Sequence, residues 1–212
     1  MAKFSSIKQT LALFAGTVLC VAASHAAFFH VAIDTSVLQG SASAPFSLDF
    51  QLNSGNTLGN NTAVIGNFTF GGGGVPFGSV NAFGAAVGSL SGSITLSDSS
   101  PFNEFFQSFT AGSVLGFDLS LTQNVDAGPT PDAFTVSILD NNRLNIPTNG
   151  FADTLLHVDI DSTNPLRIIQ LNLSSGTGDF AGVTVSAVPE PGTLASVMVG
   201  LGMLAWLRRG RG

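Results

Sequence analysis

Residues Phe46-Ser47-Leu48-Asp49-Phe50-Gln51-Leu52 alternate apolar and polar without a break. Successive side chains of a strand point to opposite faces, so this period of two fits a half-buried β-strand and gives a helix no apolar stripe. The pattern returns along the chain. Leu90, Gly92, Ile94 and Leu96 alternate with Ser and Thr, and Leu115, Phe117, Leu119 and Leu121 with Gly, Asp and Ser. Phe134-Val136-Ile138, Leu156-Val158-Ile160, Ile169-Leu171-Leu173 and Val183-Val185 repeat it, while Phe29-Val31-Ile33 and Val64-Phe68-Phe70 fit less neatly. Turn-forming clusters separate the runs: Asn53-Ser54-Gly55-Asn56, Asp140-Asn141-Asn142 and Gly176-Thr177-Gly178. About nine or ten short antiparallel strands at this spacing predict an all-β fold, a single jelly-roll-like β-sandwich.

Two segments read differently. Ser100-Pro101 precedes Phe102, Phe105, Phe106 and Phe109, a spacing of i, i+3, i+4 and i+7 that suits a short helix crossing the sandwich. A strand burying Phe105 and Phe109 suits the same residues. Gly71 to Gly74 invites a phosphate-loop reading but lacks the Lys-Ser/Thr and the following helix, which leaves a flexible hairpin connection.

The ends follow another logic. Lys3 and Lys8 precede an apolar stretch from Leu11 to Ala23, and Ser24-His25-Ala26 supplies small residues at cleavage positions. Residues 1–26 therefore read as a secretory signal helix cut after Ala26. At the other end, Val188-Pro189-Glu190-Pro191-Gly192 leads into an apolar run from Leu194 to Leu207, closed by Arg208, Arg209 and Arg211. As a helix that run is about 21 Å long, marginal for a bilayer core of about 30 Å. The arginines would stay cytoplasmic, as would Lys3 and Lys8, so the middle of the chain lies across the membrane. Gly192, Ser196 and Gly200 form a small-residue stripe along the run. The expected organisation is a signal peptide at 1–26, a β-sandwich domain at 27–187 and a C-terminal tail with a hydrophobic helix at 188–212.

This three-part tail resembles a PEP-CTERM sorting signal. The resemblance implies processing by an exosortase, a membrane-embedded enzyme with a cysteine nucleophile, after transient insertion of the C-terminal helix in the inner membrane. It also implies a Gram-negative host that makes exopolysaccharide, and a cell-surface or extracellular-matrix destination. The segment Phe29-His30-Val31-Ala32-Ile33-Asp34-Thr35, with Phe46 to Leu52 after it, is similar to the start of the mature region in a group of PEP-CTERM proteins. That likeness implies no activity.

Charge narrows the function classes. Twelve of the thirteen acidic residues lie between the two ends, against Arg143 and Arg167 as the only bases there. Nucleic acid is excluded as a partner, because it demands a basic face. The same region has no Cys, so it folds without disulfides, and its many Phe residues must supply the burial.

Candidate sites are few. His157, Asp159 and Asp161 alternate, as do His30 and Asp34; an imidazole with carboxylates suits a transition metal, and a solvent-facing polar edge suits them equally. Loop residues Asn124, Asp126 and Asp132 offer oxygen ligands for Ca²⁺, without EF-hand spacing. A glycosidase needs two positioned carboxylates, yet Glu104 is the only Glu of the domain and its aspartates sit mostly in turns. No G-x-S-x-G elbow is present, so no catalytic residue is assigned and no enzyme is expected. A sugar platform usually uses Trp or Tyr, and the domain has neither. Asn60, Asn67 and Asn172 open Asn-x-Ser/Thr sequons, which in the implied bacterial host are coincidental. The outward faces are rich in Ser, Thr and Asn and carry no Lys, the usual guard of sheet edges. Two functions follow as expectations: a non-catalytic structural or adhesive protein of the biofilm matrix, with exopolysaccharide or its own copies as partner, or a carbohydrate-binding module assisted by Ca²⁺.

Overall fold

A computed structural model describes residues 26–56, 58–126, 128–149, 153–161, 167–170 and 182–188. Among them the chain forms thirteen strands and one short 3₁₀ turn at Ser36–Leu38. The strands are β1 (Ala26–Asp34), β2 (Phe46–Asn53), β3 (Thr62–Thr69), β4 (Val75–Pro76), β5 (Asn81–Phe83), β6 (Ala86–Gly88) and β7 (Ile94–Ser97). They continue as β8 (Glu104–Thr110), β9 (Val114–Thr122), β10 (Asp132–Leu139), β11 (Leu156–Ile160), β12 (Arg167–Gln170) and β13 (Val183–Ala187). All pairings are antiparallel. The first sheet runs β13-β1-β9-β3-β7-β6, and the second runs β12-β11-β10-β2-β8-β4 with β5 also on β8. The two-sheet, all-β architecture agrees with the sandwich expected from the alternation. The additional strands are the short β4, β5 and β6, which follow the Gly71 to Gly74 connection and carried no alternation to announce them.

The core lies between the sheets, and phenylalanine builds it. Phe50 of β2 meets Phe117 of β9 edge-to-face at 5.3 Å, tying one sheet to the other. Phe134 stacks near Phe50 at 6.3 Å, and Phe68 lies 6.1 Å away. Through Phe70 and Phe109 the contacts run on to Phe46, giving a continuous line of rings across the sandwich. Edge-to-face and offset geometries let the ring edge of one meet the π face of the next.

The ambiguous phenylalanine segment is a strand. In β8, Phe105 and Phe109 face the core, while Phe106 lies on the outer face directly across from Asp49. The untidy pattern of Val64-Phe68-Phe70 has a physical cause. The β3–β9 register shifts between Gly66 and Thr69, with Asn67 at φ 53°, so the alternation slips at a bulge. Ala63 and Ile65 are buried before it, and Val64 faces out. The expected signal helix and C-terminal hydrophobic helix fall outside the described residues, as do Leu171, Leu173 and the Gly176-Thr177-Gly178 turn. Among the described residues no helix is long and apolar enough to cross a membrane.

Candidate functional site

The outer face of the second sheet carries one row of directly paired residues. Phe83 of β5 is opposite Glu104 of β8, which is opposite Gln51 of β2. Gln51 is opposite Thr135 of β10, and Thr135 is opposite His157 of β11. Directly paired residues of antiparallel strands point to the same side, so all five share the face turned away from the core. The intervening residues Phe50, Phe105, Val136 and Leu156 point inward and are buried.

Local bonds hold the row in place. The Gln51 side-chain amide donates to Asp49 Oδ2 at 2.9 Å and to Glu104 Oε1 at 3.2 Å. His157 Nε2 pairs with Asp159 Oδ1 at 2.7 Å. Phe83 stacks beside Phe106 at 6.4 Å, and the Arg143 guanidinium lies over the Phe106 ring at 5.3 Å. That roof explains why Phe106 is buried on an outward-facing side of the sheet; Asp49 and Ser137 beside it are buried as well.

Asp49 is the unusual member. It is 2% exposed, and its Oδ1 has no hydrogen-bond partner. Burial, and then the charge of Glu104, push its pKa up to about 7, while the Gln51 N–H pulls the other way. Burial also raises Glu104. A carboxyl with this balance stays protonated close to neutrality. The structure thus brings two carboxylates together where the sequence reading found them scattered. A general acid must reach the group it protonates, and Asp49 is too enclosed for that. This trio escaped sequence reasoning: Asp49 and Gln51 are visible on the polar side of one strand, but only strand pairing brings Glu104 to them.

A second cluster lies around Asn61. Both Asp98 carboxylate oxygens accept the Asn61 backbone N–H at 3.0 Å. Asn61 Oδ1 accepts from the Thr122 hydroxyl and the Asn124 N–H, at 3.0 and 2.9 Å. Asn61 Nδ2 donates to Asp132 Oδ2 and to the Asn124 carbonyl, both at 2.8 Å. Asp132 Oδ1 accepts the Gly55 N–H at 2.7 Å, and Asp126 accepts from the side-chain amides of Asn56 and Asn60. Burial, together with the neighbouring Asp132, raises the Asp98 pKa.

The structure therefore joins Asn124, Asp126 and Asp132, with Asn61 as the unforeseen centre. One expectation needs correction: Asp132 is not a loop residue but opens β10 and is buried, because its carboxylate satisfies donors from two other segments. Asp126 and Asp132 also line a groove of about 510 Å³ together with Asp159 and Asp161. Two members of each set proposed separately from sequence thus border one depression, and Asn124 and His157 do not line it. Asp159 shares the outer face with His157, and Asp161 lies just past the end of β11. Among the described residues no three His, Cys, Asp or Glu side chains group as a metal cage.

His30 and Asp34 do not converge. His30 Nδ1 bonds Asp118 at 2.8 Å, and Asp34 accepts from the backbone and hydroxyl of Ser36. Asn67 and then His30 hold Asp118 below the usual carboxylate range.

Ser24 of the expected cleavage site lies outside the described residues, whereas Ala26 opens β1. Pro189, Glu190, Pro191, Arg208, Arg209 and Arg211 also lie outside them. Strand β13 pairs with β1 from Val183 to Ala187, and Val188 is the last described residue before the tail. Residues 187–211 match the family described as the PEP-CTERM protein-sorting motif. The chain carries that motif, which marks it as an exported, exosortase-targeted protein sorted to the cell surface. No curated protein and no solved structure matches the chain.

Proposed function

We propose that the chain is a non-catalytic structural or adhesive protein of the cell surface or the exopolysaccharide matrix of a Gram-negative bacterium. The exosortase releases its sandwich from a transient inner-membrane anchor. The observation that carries this reading is the sorting motif, matched from residue 187, where the last strand of the sandwich ends. The domain itself adds support. Among the described residues its sheets end in β13, β6, β12 and β4, and no Lys guards any of these edges, which suits contact with neighbouring copies or with matrix.

The test is replacement of Pro189-Glu190-Pro191 by three alanines in the producing bacterium. A longer, membrane-retained chain is the expected result. Unchanged processing and release would remove the reading.

A second reading, a carbohydrate-binding module, is favoured by the row from Phe83 to His157, where an exposed ring adjoins fixed polar groups. In that reading calcium would act at Asp126 and Asp132, whose oxygens now accept amide N–H groups.

A further inference from the structure

We propose that the outer face of the second sheet binds an uncharged glycan chain, laid across the strands along the row Phe83, Glu104, Gln51, Thr135 and His157. The inference names the ligand of the adhesive role above, and it rests on that reading for where the ligand is met.

The shape of the row comes first. Five adjacent strands contribute one residue each, and strands lie about 4.8 Å apart, so the row is roughly 19 Å long and straight. That is room for a short oligosaccharide, and the row continues onto β12 opposite His157.

The chemistry of the row matches a sugar chain. A pyranose offers hydroxyls that both donate and accept, and an apolar face of C–H groups. Phe83 is about half exposed and offers a ring face at one end. Glu104 supplies an acceptor, Gln51 an amide, Thr135 a hydroxyl and His157 an imidazole, all on the same surface. Sites that fix a ligand's orientation combine apolar contact with a few placed polar groups.

The row is also organised before any ligand arrives. Gln51 is pinned by two carboxyl groups, His157 by Asp159, and Phe83 by the ring of Phe106. Side chains already ordered lose little entropy on binding.

Charge chooses among polymers. Glu104 lies in the row and Asp159 beside it, whereas Arg143 is held over Phe106. Polyanions such as nucleic acids or uronate polymers meet repulsion here. An extended peptide is also a poor fit. Peptides add at sheet edges through backbone bonds, and the central strands of this face already spend theirs on one another.

The experiment is affinity electrophoresis of the full chain in detergent, from a host without an exosortase, so that binding is read apart from processing. Native gels hold laminarin, xyloglucan or galactomannan; control gels hold alginate or no polysaccharide. Retardation by at least one neutral polymer, and none by alginate, is expected. Phe83→Ala and Thr135→Val should each weaken it by roughly tenfold, the scale of one lost ring or hydroxyl contact. Val87→Ala, exposed on β6 of the other sheet, should match the parent.

Thr135→Val keeps the shape of a half-buried side chain, so it tests the platform even if Phe83→Ala melts lower. The proposal is overturned if no neutral gel retards the parent, or if alginate alone does. Equal retardation of parent and both row variants overturns it too, as does slow migration that is the same without polysaccharide, which would mark self-association. A chain that the producing bacterium processes but that no neutral gel retards sinks the platform alone; one retarded in the gels yet never processed in the producing bacterium sinks the sorting reading alone.

Discussion

The backbone N–H of Val188 donates to the carbonyl of Phe28 at 2.8 Å. The last described residue is thereby fastened to the first strand, next to the Phe29–Ala187 pair. Strand β13 thus covers β1, which otherwise would be an open edge of the first sheet. A chain ending at Gly182 should melt at a lower temperature, and should scatter light increasingly with concentration as β1 pairs with neighbours. An unchanged melt would mean that β13 contributes nothing to the fold.

Asp49 makes stability depend on pH. Its folded pKa of about 7 lies above the ordinary 3.8, so the native state holds a proton that the unfolded chain has released. This contribution is complete below about 3.8 and is lost as pH rises to about 7. The melting temperature should therefore fall across that window. Asp49→Asn should make the slope shallower without abolishing it, because Asp98 is raised as well. A slope unaffected by the substitution would place the proton elsewhere.

Phe50→Ala should cost about 3 to 5 kcal/mol, read from denaturant midpoints. The ring is fully buried and touches partners in both sheets, so its removal leaves a cavity that neither sheet can close alone.

The Asn61 cluster should respond to truncation unevenly. Asp132→Ala strips one acceptor from the buried Asn61 Nδ2 and the acceptor of the half-buried Gly55 N–H, at about 1 to 3 kcal/mol for the buried bond. Asp126→Ala should cost less, since water can reach the half-buried donors it leaves. With amide hydrogens on these oxygens, the parent should melt at the same temperature in calcium and in chelator. A higher melt in calcium would show that the cation displaces them.

Much of this was legible in the sequence. Phe46, Leu48, Phe50 and Leu52 alternate because they line one face, and all four are buried. Asp140 and the asparagines after it turn the chain as their side chains suggest, with Asp140 accepting from Asn142 and Leu144. Other features depend on partners distant in sequence. Ser47 and Asp49 look solvent-facing in the pattern, yet both are buried on the outer side of β2. Phe106 is covered by Phe83 and Arg143, which no local spacing announces. The sites divide the same way: Asn124, Asp126 and Asp132 are close enough in sequence to be grouped, while Asn61 and Asp98 reach them only through the sheet.

The line of phenylalanines that joins the sheets also sets the optical behaviour of the protein. The sequence has no Tyr, and its one Trp is Trp206, beyond the sorting motif's Pro189-Glu190-Pro191. Tryptophan emission therefore reports on the tail and is blind to the packing of the sandwich. Unfolding must be followed by far-ultraviolet dichroism, and a loss of indole fluorescence from the exported protein becomes a direct count of released tails.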